Sequence, residues 1–222
     1  MGDNGMDNIH SIDSNVKFPD MEHYDMGKTS EVALYLAHCD FFPFRSVIEN
    51  NKIALDVINE SYRQMAAEAR EKDDFVSEQW AMTSGTLHSC RVELLLTMVS
   101  LLEESVNTLC RLYHDLNHLD KELKDIKGNG LERAAKYLKE VAGIVGFTSD
   151  KQWEYITAIR DARNMVVHNG GRIYKDFDKY DKFQIGYREE DHQLYLEYGD
   201  IIKMYEAILD FMDRAFRIVP QS

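Results

Sequence analysis

Between Val92 and Leu116 apolar residues recur at alternating steps of three and four: Val92, Leu95, Val99, Leu102, Val106, Leu109, Tyr113 and Leu116. This is an a/d seam over about four heptads, and it requires a second long helix alongside. Leu94, Met98 and Leu101 add another apolar stripe along the first half only. A helix apolar on two sides has to be covered on two sides. The second cover is either the N-terminal helix or another copy of the chain.

The neighbouring segments supply further helices. From about Val47, the residues Ala54, Val57, Ile58, Tyr62, Met65, Ala66 and Ala69 step by three and four, and "REKDDF" gives that helix a solvated stretch. Upstream, Pro43 within "AHCDFFPF" is expected to break any helix. Downstream, "KGNG" at Lys127–Gly130 ends the long helix. Leu131, Ala134, Ala135, Leu138, Val141, Ala142 and Val145 then mark a shorter one. Ser149 and Gln152 are spaced as a capping box for the next. After Gly170-Gly171 the period changes to two. Phe183–Tyr187 and Gln193–Tyr198 read as a small hairpin. Ile201, Tyr205, Ile208, Met212 and Ala215 form a closing helix. The expected fold is all-α, an up-and-down helical bundle with one β-hairpin before the last helix. Its expected divisions are an acidic, partly ordered extension (1–46), a helical extension (47–89) and the bundle (90–222).

Composition narrows the function classes. The chain has 222 residues, is 44% hydrophobic and carries a net charge of −13. Residues 1–31 hold seven acids against two bases. An acidic surface repels phosphate backbones, which disfavours broad non-specific nucleic-acid binding but leaves room for a small basic cleft. No apolar run approaches a membrane span, and the N-terminus lacks signal-peptide features, so a cytoplasmic location without membrane association is expected. Cys39, Cys90 and Cys110 show no CxxC spacing, so buried thiols are expected rather than disulfides or a zinc site. His38-Cys39-Asp40 are adjacent, which rarely suits one ion. His114 and His118 lack the glutamate of an HExxH helix and read better as a polar face. No glycine loop follows a strand to cradle phosphates. No metal and no cofactor are expected.

One stretch remains, Ile159 to Gly170, "IRDARNMVVHNG". On a helical wheel Arg163 falls in the middle of an arc formed by Tyr155, Ile156, Ile159, Ala162, Val166 and Val167, where a guanidinium is costly unless paired. Asn164 and His168 share a different face, four residues apart. Arg163 and His168 approach each other only if the helix ends here, where Gly170 and Gly171 suit a C-terminal cap, or if two such helix ends meet across a two-fold axis. A purely structural account also exists. Arg163 can pair with Glu103 or Glu104, and a histidine in a last turn is favoured by the helix dipole.

"RNMVVH", Arg163 to His168, resembles the Arg-x4-6-His signature of the HEPN superfamily, including a polar residue, here Asn164, after the arginine. The likeness extends to the order of a long helix holding "LLEESVNTL", a glycine break, "LERAAKYLKEV", the Trp-bearing helix ending "RNMVVHNGG" and a terminal helix, over roughly residues 90–218. The resemblance implies a homodimeric helical fold. Many such proteins are metal-independent endoribonucleases of toxin–antitoxin and phage-defence systems, and others are non-catalytic binding or dimerisation modules. By position, Arg163 and His168 would be the catalytic pair and Asn164 a supporting residue. One departure is that HEPN toxins paired with a nucleotidyltransferase antitoxin carry a tyrosine two residues after the histidine. Here that place is Gly170, so silencing by adenylylation there is not expected.

The chemistry suits the residue types. RNA carries its own nucleophile, the 2′-hydroxyl. A histidine can take that proton or protonate the leaving oxygen, and an arginine can hold the non-bridging oxygens. Between Lys151 and Lys175 five bases face two acids. Of these, Arg160, Arg172 and Lys175 are candidate substrate-binding residues, although Arg160 can equally pair with Asp161. The expected partners are RNA, a second copy of the chain and an inhibitory or effector protein. The rival expectation is a non-catalytic interaction module.

Overall fold

The computed structural model describes residues 19–71, 76–188, 190 and 192–220. They form six α-helices and one two-stranded antiparallel hairpin: α1 (Thr29–Glu71), α2 (Val76–Asn117), α3 (Gly130–Glu140), α4 (Trp153–Asn169), α5 (Phe177–Phe183), β1 (Tyr187–Arg188), β2 (Gln193–Leu194) and α6 (Tyr198–Ala215). The fold is thus the helical bundle with a hairpin before the last helix that the periodicity predicts. No described helix is long and apolar enough to cross a membrane.

Helix α2 is the spine, packing on α1, α3, α4 and α6. Its a/d residues Leu95, Val99, Leu102, Val106, Leu109 and Tyr113 are buried, while Leu116 protrudes past the bundle. The additional residues Leu94 and Met98 are also buried, so four neighbouring helices within one chain supply the two-sided cover. Leu→Ala at a site such as Leu95 or Leu102 would cost about 3–5 kcal/mol. Helix α2 ends at Asn117, ahead of the KGNG segment, because His118 adopts a left-handed φ of 51°. His114 and His118 therefore do not share a helix face. Among the described residues no group of three or more His, Cys, Asp or Glu is placed to hold a metal.

Helix α1 begins at Thr29, not at Val47, and runs through Pro43. A proline inside a helix costs about 3 kcal/mol. Burial of Phe41, Phe44 and Ile48 around it outweighs that, at about 1.5–3 kcal/mol per side chain. The expected boundaries after residues 46 and 89 both fall inside helices, and Ala33, Leu34 and Ala37 belong to the common core. Residues 1–18 and most of "REKDDF" lie outside the described residues. Tyr205 Oη donates to the Phe41 carbonyl at 3.1 Å and Tyr198 Oη to that of Ile48, fastening α6 to α1. Cys110 is sealed between α2 and α3, its Sγ 3.7 Å from the Ala134 carbonyl oxygen, and burial pushes the thiol up to about 12.

A polar cluster joins the start of α1 to the end of α6. Buried His38 meets Tyr24 Oη at 2.5 Å through Nδ1 and Asp213 Oδ1 at 3.5 Å through Nε2. Arg217 spans Asp213 and Glu31. Burial depresses the His38 pKa below the ordinary 6.5, outweighing the opposing pull of Asp213. As pH falls below about 6.5, the unfolded chain therefore binds a proton that the folded chain refuses, and stability declines. The expected result is a lower urea midpoint at pH 5.5 than at pH 7.5, with a smaller difference in His38→Gln.

The hairpin is shorter than expected. Tyr187 pairs with Leu194 and Arg188 with Gln193. Phe183, expected to open the first strand, instead closes the unforeseen helix α5, where its ring stacks on Tyr155 at 5.1 Å. Burial of Tyr180 and Ile185 holds this short helix down.

Candidate functional site at the end of α4

Helix α4 is fixed at both ends. At its start the capping role expected of Ser149 and Gln152 is taken by Asp150. Its Oδ1 accepts from the Gln152 amide at 2.8 Å, and its two oxygens accept from Arg214 at 2.9 and 3.0 Å. Ile156, Ala158, Ile159 and Ala162 are buried against the bundle. At its end Gly170, with φ 60°, provides the expected left-handed cap. The Gly171 amide returns to the Met165 carbonyl at 3.0 Å. The hairpin then locks this turn: Leu194 donates to the Gly171 carbonyl at 2.8 Å and Gln193 Nε2 to that of Gly170 at 2.6 Å. The last turn, which carries His168, is thereby anchored to the body.

Arg163 lies at the margin of the buried arc rather than in its middle, because the arc is centred nearer Ala162. Val167, expected inside it, is 51% exposed where α4 outruns its neighbours. Arg163 is half-buried and donates through Nη1 to Asn164 Oδ1 at 2.9 Å, while its Nε is buried without a partner. Among the described residues it forms no ion pair. Glu104 is taken by Arg111 at 2.6 Å. Glu103 faces the same cleft as Arg163 without an ion pair to it.

That cleft, about 370 Å³, brings together Arg163, Asn164 and His168 from α4 with Glu103 from α2 and the first turn of α3. Gly130 makes the approach possible. Its φ is +49°, and a Cβ there would lie 2.5 Å from Glu103 Oε1. Asn164 and His168 also line a second cleft of about 320 Å³, whose far wall holds Lys175 and Lys179. They therefore form a ridge between the two clefts, with His168 exposed.

The candidate binding residues part ways. Lys175 faces the second cleft, and Arg172 lines neither, its backbone bridging Gln193 instead. Arg160 lines the first cleft but is engaged. Its Nε and Nη2 donate to Asp161 at 3.0 and 2.7 Å, and Nη1 donates to Glu132 at 2.8 Å. Two carboxylates thus compete with any phosphate at Arg160. Lys179, which reaches Asp161 at 2.5 Å, is the site residue that sequence reasoning missed, whereas Glu103, expected as an ion-pair partner, shares the cleft with Arg163 without pairing to it. No spacing within the chain brings either of them to α4.

No family model matches this chain, and neither the curated proteins nor the solved structures contain a match.

Proposed function

We propose that this protein is a metal-independent endoribonuclease of the HEPN type, acting as a cytoplasmic homodimer in a toxin or phage-defence role. The observation that carries the reading is the presence in one cleft of a guanidinium without an ion pair, Arg163, and a solvent-facing imidazole, His168. In a chain of net charge −13, a half-buried arginine that forms no ion pair is suited to an incoming anion. His168 would take the 2′-hydroxyl proton as that oxygen attacks phosphorus. The P–O5′ bond breaks, and the leaving oxygen needs a proton from a second donor. A second protomer offers its own His168 for this step, and the exposed Val167 and Tyr174 beside the site suit a face that meets another copy. Arg163 would hold the non-bridging oxygens as charge builds on them, with Asn164 fixing its guanidinium. The products would be a 2′,3′-cyclic phosphate and a 5′-hydroxyl.

The test is incubation of the purified chain with single-stranded RNA in EDTA, followed by end-group analysis. Cleavage with those two ends supports the reading, and cleavage that EDTA abolishes counts against it. The alternative, a non-catalytic interaction module, draws on the outer half of α1, where Ile53, Val57 and Met65 are exposed. A stoichiometric protein partner recovered with the chain, together with an absence of RNA cleavage, would favour that module. The same surface can serve an inhibitory or effector protein of the enzyme.

A further inference from the structure

A cleft of about 510 Å³ lies beside the site rather than in it. It is walled by Asn107, Arg111 and His114 of α2, by Lys124 in the loop after α2, and by Arg133 of α3. Glu103 lines the neighbouring cleft at Arg163 and Asn107 lines this one, a single helical turn away. On α3, Glu132 faces the Arg163 cleft and Arg133 the 510 Å³ one. The two clefts thus adjoin at the first turn of α3, and together they span α2 from Glu103 to His114, a run of about 16 Å at 1.5 Å per residue.

Most basic side chains of these two clefts already have acids. Arg111 pairs with Glu104, Lys124 with Glu122, His114 with Asp115 and Arg160 with Asp161 and Glu132. Arg133 and Arg163 differ. Neither forms an ion pair among the described residues, and each has a buried Nε without a hydrogen-bond partner. Asn107 Oδ1, in the Arg133 cleft, is also buried without one. Two guanidiniums without ion pairs, one in each of two adjoining clefts, match a ligand bearing anionic groups at intervals.

We propose that Arg133 is a second phosphate-binding residue, holding the backbone of a single-stranded RNA a few nucleotides from the phosphate at Arg163. This rests on the nuclease reading for its placement of the scissile bond. Asp115 and Glu122 line the same cleft, and their charges oppose any phosphate that does not meet Arg133 directly.

The test uses the full chain with His168→Ala, which keeps RNA intact, and a fluorescein-labelled single-stranded RNA followed by anisotropy. Adding Arg133→Gln is expected to weaken binding about tenfold or more, the scale of a charged hydrogen bond, and to reduce the slope of log affinity against log salt by about one. Arg133→Lys should keep the slope while losing part of the affinity. In the His168-containing enzyme, Arg133→Gln should raise KM for the oligonucleotide and leave cleavage of a dinucleoside monophosphate unchanged. A thermal midpoint equal to that of the parent excludes misfolding. Unchanged affinity and slope in Arg133→Gln would overturn the inference while the nuclease reading stood. RNA that binds through Arg133 but is never cut would do the reverse. Absence of RNA binding, or Arg133-dependent binding of a free 5′-nucleotide in place of RNA, would also overturn it.

Discussion

His168→Ala is expected to lower kcat for RNA cleavage by about 10²–10⁴-fold, the usual contribution of a positioned acid or base. Arg163→Ala should lower it by about 10²–10³-fold, since the guanidinium holds the scissile phosphate more strongly as charge builds on it. Loss of His168, which acts only in the transition state, should lower kcat and kcat/KM together with KM nearly unchanged, whereas loss of Arg163, which also binds the phosphate before reaction, should raise KM as well. Arg163→Lys keeps the charge but loses the planar fork and the contact with Asn164, so its activity should lie between the two. Neither residue contributes to the core, as His168 is exposed and Arg163 half-buried, so both variants should melt close to the parent. Cleavage at the parental rate in either alanine variant would remove this pair from the chemistry.

The largest effect on stability outside the apolar core is expected at Asp150. Its side chain, 8% exposed, ties the start of α4 to α6 by accepting from both Gln152 and Arg214. Asp150→Ala leaves an uncapped helix start and an arginine reduced to Asp210 alone. Arg214 is 32% exposed, so water relieves part of the loss, and the expected cost is about 2–3 kcal/mol. For a chain of this size that is about 5–10 °C in Tm. Burial works to raise the Asp150 pKa, but the Arg214 guanidinium and the Gln152 amide together hold it below the ordinary 3.8. A folded pKa below the unfolded one gives stability that is present above about pH 4 and lost as pH falls through the folded value. The gap between parent and variant in urea should therefore be full at neutral pH and narrow in acid. Equal midpoints at neutral pH would show that the tie carries no weight.

The spine of the fold was readable because an a/d repeat over four heptads has one physical solution, and Leu95 to Tyr113 are buried as that repeat requires. The cap at Gly170 was readable for a similar local reason, since a glycine pair after a helical run supplies the left-handed residue that ends a helix. Pro43 misled because its local cost is fixed, whereas the burial that outweighs it depends on α2 and α6, far away in sequence. Helix α5 escaped notice because seven residues hold too few turns to separate a period of two from one of 3.6. At the site, the wheel placed Asn164 and His168 together but could not supply the opposite wall. Glu103 and the first turn of α3 reach Arg163 only through the packing of three helices, and the two carboxylates that occupy Arg160 come partly from that same wall.

Cys110, enclosed beneath the Arg133 cleft, gives the protein a chemical character of its own. A sulfhydryl with a pKa of about 12 is ionised in roughly one molecule in a hundred thousand at pH 7, and the anion is the form that attacks maleimides and peroxides. Oxidants that silence thiol-dependent enzymes should leave this cleft working. Dyes added to the unmodified chain would instead settle on the more accessible Cys39 and Cys90, giving two reporter positions, on α1 and α2, that require no redesign of the cleft.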